Sequence, residues 1–328
     1  MKRYPLGNTG DSVSAIGLGC AGMSEGYGTP KDSESLLTLS AALAAGVNFL
    51  DTSDAYGIGH NEQLLGGFLQ GRSKEAVLAT KVGLVRNPGA PPSIDNSPQY
   101  IRTACDASLQ RLRVETIDLY YLQRRDANVP LAEVIGAMAD LVRAGKVRYL
   151  GLSEVSPETL RRACDIHPIA AVQSEYSLWS RDPESGMLAT CRELGALFVA
   201  YCPLGRAFLT GEIKSLDELD PNDFRRHMPR FQPGVLEKNS VLLPALAAIA
   251  AERRATPAQI ALAWLLIKHP HVVPIPGSKQ LQHVINNAAA AHLVLSPSDI
   301  HELDRLFTPT AVVGARLPLP AMAGIEST

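Results

Sequence analysis

The stretch NFLDTSDAYG, residues 48–57, carries the pattern from which the fold follows. Val47, Phe49 and Leu50 form a short apolar run that stops at the carboxylate of Asp51, as in a buried parallel strand with a polar group at its tip. Tyr56 lies five residues further on, and Gly57 and Gly59 put it in a turn beyond the strand rather than in a core-facing element. Aspartates cap turns and loop tyrosines pack in many proteins, so the segment gains chemical meaning only from what surrounds it.

Upstream, Leu36, Leu37, Leu39, Ala42 and Leu43 follow helical spacing until Gly46 ends the run, and the helix-then-strand alternation continues downstream. Helical patterns over 61–69, 97–112, 131–144, 157–166, 185–194 and 240–254 alternate with apolar strands over 77–80, 117–122, 149–152, 171–173, 197–201 and 272–275. With 16–19 and 47–50 these make eight strands, which predicts an α/β fold, a (β/α)8 TIM barrel in one domain over 1–328. Residues 2–6 and 12–15, joined through Gly7, Asn8, Thr9 and Gly10, predict an N-terminal β-hairpin. Helices over 257–268 and 297–307 are two extra elements, and the irregular segments 206–238 and 308–328 are expected as long loops bordering a ligand.

Gly17, Leu18, Gly19, Cys20, Ala21 and Gly22 match G-x-G-x-x-G, yet Gly26, Gly28 and Pro30 delay the next helix to about Asp32. A dinucleotide loop needs its third glycine at a helix start, so these glycines read instead as a strand end allowing close backbone approach.

Composition narrows the function. With 46% hydrophobic and 20% charged residues and a net charge of -2, the chain has no basic excess for nucleic acid or an anionic membrane, so a small molecule is the expected partner. Cys20, Cys105, Cys164, Cys191 and Cys202 are widely spaced without a metal-binding pattern and read as reduced core thiols. The start MKRYPLGNTG lacks an apolar leader, and no stretch approaches a membrane span, so a cytoplasmic location is expected. The composition does not address oligomeric state.

Chemistry in such a barrel sits at the C-terminal strand ends. There the chain places Asp51, Lys81, Gln123, Ser153 with Glu154, Gln173 with Glu175, and Tyr201. A lysine beside a phenol favours the phenolate, and an aspartate keeps the lysine charged, so Asp51, Tyr56 and Lys81 together make a proton donor. No serine-histidine-acid set, metal set or nucleophilic cysteine context is evident, so hydrolysis is not supported. Arg124, Arg125 and Asp126 read as a solvated charge cluster, and His60, His227 and His292 as surface or satisfied histidines.

DTSDAYG, the TK and LYYL strand tips, GLSEVSPETL, AVQSEYSLWSRD, AYCPLGRAFLTG and VVPIPGSK together resemble the aldo-keto reductase superfamily, in its bacterial and plant branch. The resemblance covers nearly the whole chain. It implies metal-free hydride transfer between NADPH and an aldehyde or ketone, with Tyr56 as general acid and Asp51, Lys81 and Gln123 completing the catalytic set. Carried over by position, Ser153, Glu154 and Gln173 would meet the nicotinamide carboxamide, and Tyr201 would stack on its ring. Cys202, Pro203, Leu204, Gly205, Arg206 and Leu209 would embrace the pyrophosphate. Gly277, Ser278, Lys279, His283, Asn286 and Asn287 would meet the adenosine end. Met23 is expected to join Tyr56 and Gln123 in the substrate pocket, and Trp179, in the loop after the sixth strand, either lines the substrate mouth or packs the barrel rim.

Four positions depart from the family pattern, one of them Asn286, where NADPH-preferring members commonly have an acid. Glu154 stands where many members have asparagine. Gln123 replaces the usual histidine: its amide can orient a carbonyl oxygen but carries no proton near neutral pH, so a slower reductase with a flatter pH profile, or one biased to alcohol oxidation, is expected. His283 replaces an arginine common in NADPH-preferring members, and losing such a charge-assisted contact costs about 1.5 to 3 kcal/mol, which leaves NADH use open. A cofactor-binding redox sensor and a mainly oxidative secondary-alcohol dehydrogenase are the rival functions.

Overall fold

Short apolar runs become strands of one parallel sheet in the computed structural model, which describes residues 1–326. An antiparallel hairpin of β1 (Arg3–Pro5) and β2 (Ser12–Ser14) precedes the barrel strands β3 (Leu18–Gly19), β4 (Phe49–Asp51) and β5 (Val77–Val82). A small flap, β6 (Leu84–Val85) and β7 (Ser93–Ile94), follows β5. The remaining barrel strands are β8 (Ile117–Leu122), β9 (Val147–Ser153), β10 (Ile169–Glu175), β11 (Leu197–Tyr201) and β12 (Val272–Ile275).

These eight pair in parallel in chain order, as the sequence predicts. The seam between β3 and β12 closes through a parallel bridge of Gly19 with Gly277 and a 3.0 Å bond from the Gly17 N–H to the Pro274 carbonyl. A Cβ on Gly17 would lie 2.8 Å from Ile275, so the glycines of the G-x-G-x-x-G match serve the seam rather than a helix start.

The helices are α1 (Asp32–Ala44), α2 (His60–Leu69), α3 (Pro98–Leu112), α4 (Leu131–Arg143), α5 (Pro157–Cys164) and α6 (Met187–Leu194), then α7 (Val235–Ser240), α8 (Leu243–Glu252), α9 (Pro257–Lys268), α10 (Leu281–Ala289) and α11 (Pro297–Leu306). Four start alike: Ser97, Ser156, Thr256 and Ser296 cap the third backbone N–H with a hydroxyl, and proline follows at the first helical position. Helix α9, expected outside the alternation, packs directly on β12 and buries every residue from Ile260 to Leu266. It is therefore a barrel helix, and α8 and α11, which pack together, stand outside. Helix α10 was not anticipated; it closes the ring between α9 and α1. Among the described residues no helix is long and apolar enough to cross a membrane.

Strand alternation divides the core in two. Odd-numbered Phe49, Ala79, Leu119, Tyr121, Ala171, Val199, Val273 and Ile275 fill the barrel, joined at its base by Tyr4, Leu6 and Val13 of the hairpin. Even-numbered Leu50, Leu78, Tyr120, Leu122, Leu152, Phe198 and Val272 face the helices. The same odd parity carries Asp51, Lys81, Ser153, Gln173 and Tyr201 to the inner rim above the packed layers.

Tyr121 supports that rim, since its ring centroid lies 6.0 Å from the Lys81 ammonium. Its partner across the ladder is Gly151, where a Cβ would stand 2.4 Å from the ring. Gly151→Ala is expected to lower stability by about 1 to 3 kcal/mol, as overpacked cores do, and to disturb the site above. Urea denaturation reads the first effect, and an unchanged midpoint would refute the packing account.

Candidate active site

The strand ends open into a cavity of about 830 Å³, with Asp51, Tyr56, Lys81, Gln123, Ser153, Gln173 and Tyr201 in its wall. Strands β4 and β5 deliver Asp51 and Lys81 side by side, both nearly inaccessible, at 2% and 1% exposure. The Lys81 ammonium donates to Asp51 Oδ1 at 2.5 Å, to the Thr52 carbonyl at 2.6 Å and to the Tyr56 hydroxyl at 3.3 Å. Gln173 Nε2 donates to the second Asp51 oxygen at 2.8 Å. The lysine thus has all three protons placed, and both carboxylate oxygens are satisfied.

Burial pushes the Tyr56 phenol upward, and the pull of Lys81 in the other direction does not cancel it. The expectation of a lowered phenol is corrected accordingly: desolvation outweighs the cation, and the tyrosine is held neutral, in its donor form. Burial alone would lower Lys81, but Asp51 and Tyr56 raise it on balance, so the ammonium stays charged.

Gln123 is fixed by a residue that the sequence did not single out. Ser53 Oγ accepts from the Ala55 N–H at 3.1 Å and donates to Gln123 Oε1 at 2.7 Å. The amide oxygen is thereby turned to the protein, leaving Nε2 as the donor that Gln123 offers from the cavity wall. The same hydroxyl lies 3.3 Å from Asp54 Oδ1, whose neighbours are Glu62 and Arg111.

The rest of the wall comes from loops. Gly205, Arg206 and Ala207 are consecutive left-handed residues, with φ of 57°, 56° and 74°, and Cys202 has φ 49°. Such backbone costs energy outside glycine and persists only where surroundings impose it. Here Arg206 forms a buried bidentate pair with Glu175 at 2.9 and 2.7 Å, and Trp179 packs beneath Gly205, where a Cβ would lie 2.7 Å from the indole. Cys202, Pro203, Leu204 and Arg206 line the cavity, whereas Gly205 and Leu209 support it from behind. At the far end Gly277, Lys279, His283, Asn286 and Asn287 line the wall, and Ser278 instead bonds Gln280. Lys279 donates to the Tyr27 carbonyl at 2.5 Å and makes no ion pair among the described residues.

Several expected site residues lie elsewhere. Met23 and Trp179 do not line the cavity: both are buried, and Trp179 stacks on Phe208 at 3.9 Å, because the glycine turn above it leaves a slot for an indole. Glu154 also stays out of the wall, drawn to Arg316 of the C-terminal segment by a bidentate pair at 3.0 and 2.8 Å. As far as residue 326 that segment holds the rim but does not border the cavity, residues 327 and 328 lying outside the described residues, whereas the loop after β11 does border it, through Glu212, Ile213 and Arg225. Arg124, expected in solvent, lines the cavity beside Gln123, and Arg125 pairs with Glu326. Tyr27, Arg124 and Thr256 were missed because no local pattern marks a loop residue or helix cap as facing a distant strand end.

Residues 15–307 match the model of the Aldo/keto reductase family. The chain is 42% identical over 319 residues to the aldo-keto reductase yakc of Schizosaccharomyces pombe, whose name carries NADP(+), covering 95% of this chain and 93% of the relative. Among solved structures it is similar to a glycerol dehydrogenase from Gluconobacter oxydans, with TM-score 0.83, 29% identity, and 90% and 92% of the two chains covered. It is also similar to an aldo/keto reductase from Klebsiella pneumoniae in complex with NADP and acetate, with TM-score 0.75, 29% identity, and 97% and 99% covered.

Burial first, then the charge of Glu62, push Asp54 up to about 7 against Arg111 and the Ser53 and Ala55 hydrogen bonds. A folded value above the ordinary carboxylate value stabilises the fold at low pH, and that contribution is lost as pH rises through about 7. Asp54→Asn is neutral throughout, so its Tm relative to the native protein should rise between about pH 5 and about pH 8.5. A pH-independent difference in thermal melts would contradict this.

Proposed function

The chain belongs to the aldo/keto reductase family of oxidoreductases, and on that premise we propose that it reduces aldehydes or ketones to alcohols with NADPH, Tyr56 serving as general acid. The observation that carries the proposal is the Lys81 ammonium, bonded at once to Asp51 and to the Tyr56 hydroxyl on a buried cavity floor.

The residues present suit the cofactor. The Lys279 ammonium, held by the Tyr27 and Thr29 carbonyls and in no ion pair among the described residues, is a cation suited to a phosphate at the rim, with His283, Asn286 and Asn287 beside it. The left-handed turn at residues 205–207 and the Tyr201 ring would hold the remainder along the wall. Lacking a guanidinium at His283, the site is expected to favour NADPH only modestly over NADH. When bound, the cofactor supplies the hydride.

The chain's own residues manage the oxygen. Gln123 Nε2, aimed by Ser53, donates to the substrate oxygen and holds it near Tyr56. Tyr56, kept neutral by burial, donates its proton as charge develops on that oxygen. Lys81 stabilises the phenolate left behind, and Asp51 with Gln173 keeps Lys81 in place. The five free thiols support a reducing, cytoplasmic setting.

Gln123 favours a second reading, a redox sensor that binds the cofactor but turns over slowly, and similarity to a glycerol dehydrogenase keeps the oxidative direction in view. Following NADPH oxidation with a panel of aldehydes and ketones separates these. Tyr56→Phe should lower kcat by about 10² or more, the usual share of a general acid, with NADPH affinity unchanged; turnover surviving loss of the phenol would overturn the mechanism. Gln123→His should raise the rate of reduction and add a limb near pH 6.5, the ordinary histidine value, and an unchanged rate and profile would remove the role given to this position.

A further inference from the structure

A buried charge cluster outside the cavity floor lies where the C-terminal segment crosses the tips of β9 to β11. Glu154, 4% exposed and in left-handed backbone with φ 56°, is its centre. Its carboxylate takes the Arg316 guanidinium at 3.0 and 2.8 Å, the Tyr201 hydroxyl at 2.7 Å and the Glu175 N–H at 3.0 Å. The carbonyl of Glu154 accepts from the Glu326 N–H at 2.9 Å, and the Glu326 carboxylate takes the Ser156 N–H at 2.7 Å and Arg125 at 2.6 Å. The C-terminal segment therefore grips Glu154 twice, once through a side chain and once through the backbone.

Of the members of this chain of bonds, Tyr201 lines the cavity, and neither Glu154 nor Arg316 does. A bidentate guanidinium fixes the plane of a carboxylate as well as its position, and this carboxylate holds the Tyr201 hydroxyl. We infer that Arg316 is a positioning residue for the cofactor: acting through Glu154, it holds the Tyr201 ring as the wall on which the nicotinamide rests, so the C-terminal segment sets cofactor affinity. Without Arg316 the buried carboxylate keeps only two of its donors and must recruit water or move, and either response releases the phenol. The inference rests on the NADPH reading above.

The test titrates NADPH against native protein, Arg316→Ala, Arg316→Lys, Tyr201→Phe and the Arg316→Ala/Tyr201→Phe double variant, following protein fluorescence and the steady-state constants. Arg316→Ala should weaken NADPH binding about tenfold, the equivalent of one charge-assisted hydrogen bond, with a smaller change in kcat at saturating cofactor. Arg316→Lys, which keeps the charge without the fork, should recover part of the loss and serves as the folding control. In the Tyr201→Phe background, where the bond to Glu154 is already gone, Arg316→Ala should cost little more. Unchanged affinity in Arg316→Ala, or the same loss in both backgrounds, overturns the inference by assigning Arg316 to the stability of the segment alone. Native protein that binds no NADPH overturns the cofactor reading and this inference with it, a result distinguishable from the other two.

Discussion

A lysine ammonium at 1% exposure is tolerable only if every proton finds an acceptor, and the rim of this barrel is arranged around that demand at Lys81. Asp51 supplies the counter-charge, Thr52 a carbonyl and Tyr56 a hydroxyl, and Gln173 occupies the carboxylate oxygen that Lys81 leaves free. Breaking such a buried pair typically costs about 3 to 5 kcal/mol, comparable with the net stability of many domains. Everything beneath the pair serves it: Tyr121 lies below the ammonium, and Gly151 makes room for Tyr121. Tyr56 is thus the third acceptor of a cation that the fold has to satisfy anyway.

The cavity walls follow a second constraint, that backbone held away from its preferred conformations must be anchored. The three left-handed residues of the turn after β11 are held by Arg206 on Glu175, and left-handed Glu154 is held by Arg316 and Glu326. Both anchors are nearly dry ion pairs, and Arg316 Nε lies 3.9 Å from Glu175, which brings them into one network. The loop that frames the cavity and the C-terminal segment are therefore joined through this network, although they are far apart in the chain.

Much of this was legible because period-two alternation and helix caps are local. Proline after serine or threonine marks four helix starts, and odd parity along the strands carries Asp51, Lys81, Gln173 and Tyr201 to one inner rim. Helix α9 was misplaced because an all-round apolar helix shows no amphipathic stripe from which its packing partner can be read. Trp179 and Met23 were drawn to the cavity by neighbourhood in the chain, but both are buried in the core, Trp179 in the slot that Gly205 leaves.

The amino-acid sequence by itself determined the eightfold strand and helix alternation, the Asp51, Tyr56 and Lys81 set, and the substitution of an amide at Gln123. Tertiary structure alone decided that Tyr56 is raised rather than lowered, since desolvation depends on how completely the barrel covers the phenol. It likewise decided that Ser53 aims the Gln123 amide and that Glu154 turns away from the cavity to Arg316, 162 residues away. Burial and ion pairing are properties of a closed surface, and no stretch of sequence contains both sides of it.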